Sequence, residues 1–425
     1  MSETKSNSKL TRAKPALDAL NFFLADVRTG LGPYLAVYLL TVKNWNEAEI
    51  GIVMSVGAIA GILAETPSGA LVDAVRAKRA LVVLAALAIT AGSLALPALS
   101  TFWSVAVSQA IVNAIGAIFG PAIAAISLGI VGHAQFAART GRNEAFNHAG
   151  NAFAAAVAGG AAYLWGPVVV FFLIAAMAAA SLISVLTLPA GAIDYQRARG
   201  LHDGATQEAE RPSGFHVLLS CRPLLIFAAC AVLFHFANAA MLPLVGQKLA
   251  LQDKNLGTTL MSACIVAAQI IMVPMAVLVG RKANRWGRKP LFLIGFLILP
   301  IRGMLYTLSD NPYWLVGVQL LDGVGAGLYG ALFPLIVADL MQGTGRFNVA
   351  LGAVLTGQGI GASLSTTVAG LIVVEAGYSA AFLTLAAIAG AGLTLFWLAM
   401  PETWRPSEVS ANAKAGVIRI PDAGE

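Results

Sequence analysis

GALVDAVRAKRAL (69–81) and GRKANRWGRKPL (280–291) are basic, glycine-bearing stretches set 211 residues apart, and each separates two long apolar runs. Their reading decides the fold. Clustered lysines and arginines between apolar segments mark a short turn at a membrane face, because about 20 apolar residues cross a ~30 Å hydrocarbon core while the charges stay in water. Working outward from the two stretches, apolar runs fall at roughly 17–42, 50–72, 79–100, 102–131, 145–166, 167–190, 222–246, 257–280, 289–309, 312–338, 347–375 and 378–400. The pattern predicts an all-α integral membrane protein with twelve transmembrane helices.

Composition agrees. The 425 residues are 58% hydrophobic and 11% charged, against about 25% charged in soluble domains, and the mean hydropathy is +0.77. A soluble two-domain enzyme is excluded. The net charge of +6 does not predict a nucleic-acid partner, because the basic residues are confined to short loops, where they report membrane orientation. Cys221, Cys230 and Cys264 form neither a disulfide framework nor a zinc spacing, and no metal or cofactor is expected. The polar, basic MSETKSNSKLTRAK (1–14) precedes an apolar run too long for a signal-peptide core, so the first helix is expected to stay in the mature protein.

With the amino terminus inside, 22 of the 27 lysines and arginines fall on the cytoplasmic side, Lys43, Lys248 and Lys254 fall outside, and Arg28 and Arg302 lie within helices. This asymmetry predicts a plasma (bacterial inner) membrane protein with both termini cytoplasmic. Residues 1–16 and 405–425 read as tails. Residues 17–190 and 222–404 read as two six-helix bundles joined by a polar, flexible linker at 191–221, which contains YQRARGLHDGATQEAERPSG. The halves share a nearly constant offset: Asp26 to Asn238 is 212, Gly69 to Gly280 is 211, Pro121 to Pro334 is 213, and Pro189 to Pro401 is 212.

The two opening stretches resemble the Gly-x-Leu-Ala-Asp-Arg-x-Gly-Arg-Lys loop of the major facilitator superfamily. The first keeps Gly69, Leu71, Asp73 and Lys78; the second keeps Gly280, Arg285, Gly287, Arg288 and Lys289, with Asn284 at the acid position. QAIVNAIGAIFGP (109–121) and QLLDGVGAG (319–327) are similar to the family's Arg-x-x-Gln-Gly-x-Gly-Ala stretch, with Gln109 and Gln319 where the arginine stands. The resemblance covers about 17–404. It implies two bundles around a central cavity lined by helices one, four, seven and ten, and a cytoplasmic gate built on Gly69, Asp73, Lys78, Arg285, Gly287 and Arg288. The family's arginine is associated with proton coupling, and its absence here leaves coupling through that position unsupported.

Each expected cavity helix carries polar residues sharing a face: Gln109 with Asn113, His235 with Asn238, and Gln319 with Asp322. Lipid cannot satisfy such groups, so they turn toward the protein interior or a wet cavity. Helix one adds Asp26 and Arg28 in FFLADVRTGLGP (22–33), two apart and so not facing one another in a straight helix. Gly30, Gly32 and Pro33 predict a break there, since Pro33 removes the donor to the Thr29 carbonyl. These eight residues are the candidate substrate contacts, the alternative for each polar group being a static bond between helices. Asp26, Asp322 and Glu65 are the candidate proton carriers. His148, placed at the start of helix five, is expected to tie down the adjacent loop, and Arg302 to snorkel outward.

The expected function is secondary active transport of a small organic molecule by alternating access, by a monomer in the bilayer, driven by protons or a substrate gradient, with export (efflux, as an antiporter) the leading direction. The rival is import of an organic anion or metal chelate, with Arg28 as the cation. The rival from another class is an integral-membrane transferase, which needs acids and histidines clustered near one membrane face; here the polar groups are dispersed.

Overall fold

The computed structural model describes residues 2–28, 35, 38–39, 42–45, 47–99, 101–165, 168–201, 216–252 and 254–404. Regular structure among these is helical. Helix one begins as Ser2–Val27, helix two is Glu47–Ala74, helix three Lys78–Ala95, and helix six Val169–Thr187. Helix eight is Lys254–Trp286, helix nine Arg288–Leu305 and helix ten Pro312–Leu340. Two long elements, Phe119–Trp165 and Phe347–Ala399, each turn at a glycine of positive φ, Gly132 (69°) and Gly377 (82°). A side chain is strained in that conformation, so glycine is where the chain can reverse. The turns separate helix four from five and helix eleven from twelve.

Among the described residues, eight stretches are long and apolar enough to cross a membrane. Two of them contain those turns and so supply two crossings each; helix nine and helix one, part of which lies outside the described residues, account for the remaining two of the twelve expected.

Helix four is interrupted between Gly116 and Phe119, and helix seven between Asn238 and Met241. Both interruptions lie four residues before a proline, Pro121 or Pro243, which has no N–H for the carbonyl of Ala117 or Ala239 and crowds it. In helix seven the freed Ala240 N–H donates to Ser365 Oγ at 3.0 Å. The break expected in helix one falls on 29–34, outside the described residues.

One apolar core joins residues of 224–400 with Leu128, Phe136 and Ala137; two others draw only on residues 13–198. Two expectations are corrected. Helix five starts at 133, directly after Gly132, instead of at 145, because a glycine turn needs no polar loop. The linker is not flexible along its first part: residues 190–192 and 197–199 form short 3-10 turns, and Asn348 Nδ2 donates to the Ala198 carbonyl at 2.9 Å.

Candidate functional site: a cavity between the halves

Two adjoining cavities, of about 310 and about 610 Å³, share Arg28, Gly120, Glu144 and Leu355 as wall residues. Helices one, two, four and five supply one side through Arg28, Glu65, Asn113 and Glu144. Helices seven, ten and eleven supply the other through His235, Asn238, Tyr329 and Gln358. The Arg28 side chain is half-buried and runs along helix four, where an Nη lies 4.0 Å from the position a Cβ would take on Gly120. Among the described residues its guanidinium makes no ion pair within 4.0 Å; the side chain of Asp26 lies outside them.

Three wall atoms, Glu65 Oε2, Thr140 Oγ1 and His235 Nε2, are buried without a hydrogen-bond partner among the described residues. Each such group costs about 1–3 kcal/mol unless something in the cavity satisfies it. Asn113 spends Nδ2 on its own helix, at Gln109 O, 2.9 Å. Aromatic rings form the opposite wall: His235 meets Tyr329 edge-on at 4.9 Å, Phe234 stacks on Tyr329 at 4.6 Å, and the Tyr329 hydroxyl accepts from Gln358 Nε2 at 2.7 Å.

The second half's other candidates sit elsewhere. Arg302 does not snorkel outward; it is 1% exposed, bonds Asp322 through one Nη and donates to Asn238 Oδ1 at 2.6 Å through the other. Asp322 also accepts from Gln319 Nε2 at 2.9 Å, and Gln319 Oε1 accepts from the Tyr306 hydroxyl. A buried cation and carboxylate satisfy each other here because lipid and an apolar core leave them no alternative. Gln319 and Asp322 are thus internal to the bundle and absent from the cavity wall, as is the buried Gln109.

At the linker end the halves meet. Helix eleven starts after Arg346, whose side chain cannot cap it, and Asp73 supplies the missing acceptor from helix two: Oδ2 to Val349 N at 2.9 Å, Oδ1 to Asn348 Nδ2 at 2.7 Å. Four amides at a helix start lack internal partners and carry positive dipole, so a carboxylate fits there. The helices pass so closely that a Cβ on Gly69 would lie 2.9 Å from Val349 Cα. Thr66 and Thr356 hydroxyls sit 2.9 Å apart higher on the same seam.

In the second copy of the loop, Asn284 cannot act as an acid and instead donates to the Ala134 carbonyl at 2.9 Å. Arg288 pairs with Asp339 at 3.0 Å, and His133 reaches the same carboxylate at 2.9 Å. Gly287, at φ 90°, has no side chain to cap helix nine, and Glu402 does so through Arg288 N and Lys289 N. Lys78 Nζ is turned inward onto the carbonyls of Val72 and Val75, while Arg285 is exposed. His148 does not tie down a loop; its Nδ1 lies 2.9 Å from Gln269 Oε1 on helix eight.

Glu144 and Gln358 escaped the sequence reading. Glu144, Asn147, His148 and Asn151 form a polar stripe at helical spacing, and Glu144 was hidden because helix five is expected to start at 145, just beyond it, and instead starts at 133. Asp18 was missed as well: it accepts from Arg139 at 2.5 Å and Arg142 at 2.7 Å, joining helices one and five. Among the described residues no three His, Cys, Asp or Glu side chains cluster as a metal site.

A chain with these features has known relatives. It is 58% identical over 392 residues to an uncharacterized MFS-type transporter of Mycobacterium tuberculosis, covering 92% of this chain and 94% of that one. Among solved structures, the human organic anion transporter MFSD10 is similar with a TM-score of 0.68 at 15% identity, covering 91% of this chain and 99% of the other. FucP in the outward conformation gives 0.71 at 13% identity, with 92% and 99% covered. The sequence model of the Major Facilitator Superfamily matches residues 17–305 and 227–420, and the chain belongs to that family.

Proposed function

We propose that this transporter carries a small organic molecule bearing an anionic group, by alternating access through the cavity at Arg28. That it is a transporter and not an enzyme follows from its family. The observation that supports the cargo reading is a cavity walled by both halves, holding a guanidinium with no ion pair within 4.0 Å among the described residues and three buried polar atoms, Glu65 Oε2, Thr140 Oγ1 and His235 Nε2, left unsatisfied among them. A ligand contacting both walls is released when the halves rock apart. The seam through Asp73, Thr66 and His148 supports a state closed at the linker end, with Asp73, Lys78 and the 280–291 loop as the gate.

The linker end is cytoplasmic on the distribution of basic residues, and each chain holds a whole cavity, so the monomer suffices. Export remains the leading direction and anion import its rival. If protons drive the cycle, Glu65 is the preferred carrier, since Asp322 is neutralised by Arg302. The test is flux in proteoliposomes with a panel of small organic anions and an imposed pH gradient. Gradient-dependent movement that Arg28→Gln abolishes is expected; movement of anions that Arg28→Gln leaves unchanged overturns the assignment of the site.

A further inference from the structure

Beside the gate loop, a cavity of about 520 Å³ lies between the start of helix three, the end of helix six and the first residues of the linker. Its walls are of two kinds. Arg76, Lys78 and Arg79 stand where helix three begins, and Val83, Leu84 and Leu186 continue along the helices into the membrane. Leu84 and Leu186 are 64% and 62% exposed, as suits side chains facing lipid. Leu84 lies six residues into helix three, roughly 9 Å deeper than Lys78 at 1.5 Å per residue.

Among the described residues the basic mouth is short of negative charge. The guanidinium carbons of Arg76 and Arg199 and the Lys78 ammonium stand 5.1, 5.1 and 5.3 Å from one ring, that of Tyr195. Lys78 is held by the carbonyls of Val72 and Val75, and Arg79 by those of Val185 and Leu186. Carbonyls orient a cation without neutralising it. Arg199 Nε is buried with no hydrogen-bond partner. Of the nearby described acids, Asp73 is hydrogen-bonded to helix eleven, its charge acting on Lys78 only at longer range, and Asp194 is bonded to the amides of Gln196 and Arg197 and paired with the Arg197 guanidinium at 3.8 Å. Mutually repelling cations at the bilayer boundary, above an apolar groove, complement one ligand chemistry: a phosphate ester with an acyl chain.

We propose that this cavity binds an anionic phospholipid, its phosphate against Arg76 and Arg79 and one chain along Val83, Leu84 and Leu186. The Tyr195 hydroxyl donates to the carbonyls of Asp73 and Ala74, at 3.3 Å each. A bound lipid therefore steadies the segment that delivers Asp73 to helix eleven, and favours the state closed at the linker end.

The test uses full-length protein in detergent, titrated with phosphatidylglycerol, phosphatidylcholine or inorganic phosphate, with binding read by native mass spectrometry and thermal shift. Phosphatidylglycerol is expected to bind and stabilise, and the other two to do neither at equal concentration. Arg76→Gln alters an exposed side chain and is expected to weaken phosphatidylglycerol about fivefold with the lipid-free melting point unchanged. Ala80→Trp, which fills the groove, should also weaken it, and Arg281→Gln, at an exposed cation of the second half, should not. Equal binding of the two lipids overturns the proposal, as does an equal loss from Arg281→Gln. A shift from inorganic phosphate matching that from the lipid makes this a phosphate site and overturns the lipid assignment.

Discussion

Arg28 and Arg302, the arginines the sequence places within apolar spans, have opposite circumstances. Arg302 is sealed in the second bundle with Asp322, Asn238 and the Met241 sulfur around it. Arg28 is half-buried at the cavity wall and, among the described residues, unpaired. Both carry a cost of about 2.5–3.5 kcal/mol on insertion scales. In one case a directly bonded carboxylate offsets it; in the other Glu65 on the same cavity wall acts only at longer range, and the cavity and whatever enters it must supply the rest. An intramembrane charge therefore points to function when its bundle gives it no directly bonded counter-charge.

The largest effect should come from breaking the closed network. Arg302→Gln strands the Asp322 carboxylate, and a loss of about 3–5 kcal/mol in folding stability is expected, read as a lowered melting point in detergent. Adding Asp322→Asn should restore most of it. Arg28→Gln is expected to do the reverse: an unchanged melting point, but ligand stabilisation weakened by about 1.5–3 kcal/mol, the value of a hydrogen bond to a charged group. The compound for this measurement is whichever organic anion most raises the wild-type midpoint. If Arg28→Gln melts as early as Arg302→Gln, the contrast between the two arginines collapses.

Asp73→Asn keeps an acceptor at the start of helix eleven but removes the charge that the helix dipole favours, worth about 0.3–1 kcal/mol. It should shift the halves toward opening at the linker end. A cysteine placed at Thr356, in a background lacking Cys221, Cys230 and Cys264, should then react faster with a thiol reagent from that side. Tyr306→Phe, which deletes one hydroxyl from the Arg302 network, should cost about 1 kcal/mol of stability and leave transport unchanged, the smallest functional effect of the set.

Where the basic loops fall and which helices carry polar faces were legible in the residues. Some boundaries were not. Glu144 was hidden because the sequence reading expects a polar loop between helices four and five, where a single residue, Gly132, makes the turn. Gln319 and Asp322 share a face with each other, as their spacing requires, but spacing says nothing about which neighbouring helix that face meets.

That difference divides what this chain determines by itself from what its packing decides. Hydropathy, loop charge and the offset of about 212 residues are local properties, each set by the transfer of nearby atoms between water and lipid, so sequence alone determined a duplicated bundle of membrane-crossing helices. Pairing is not local. Asp322 is a structural counter-ion because helix nine delivers Arg302 to it, and Asp73 meets the bare amides of helix eleven across the two halves, 275 residues away. Only the tertiary structure decided which charges were satisfied inside the fold and which were left facing the cavity, because electrostatic energy depends on the distance between side chains and not on their separation along the chain.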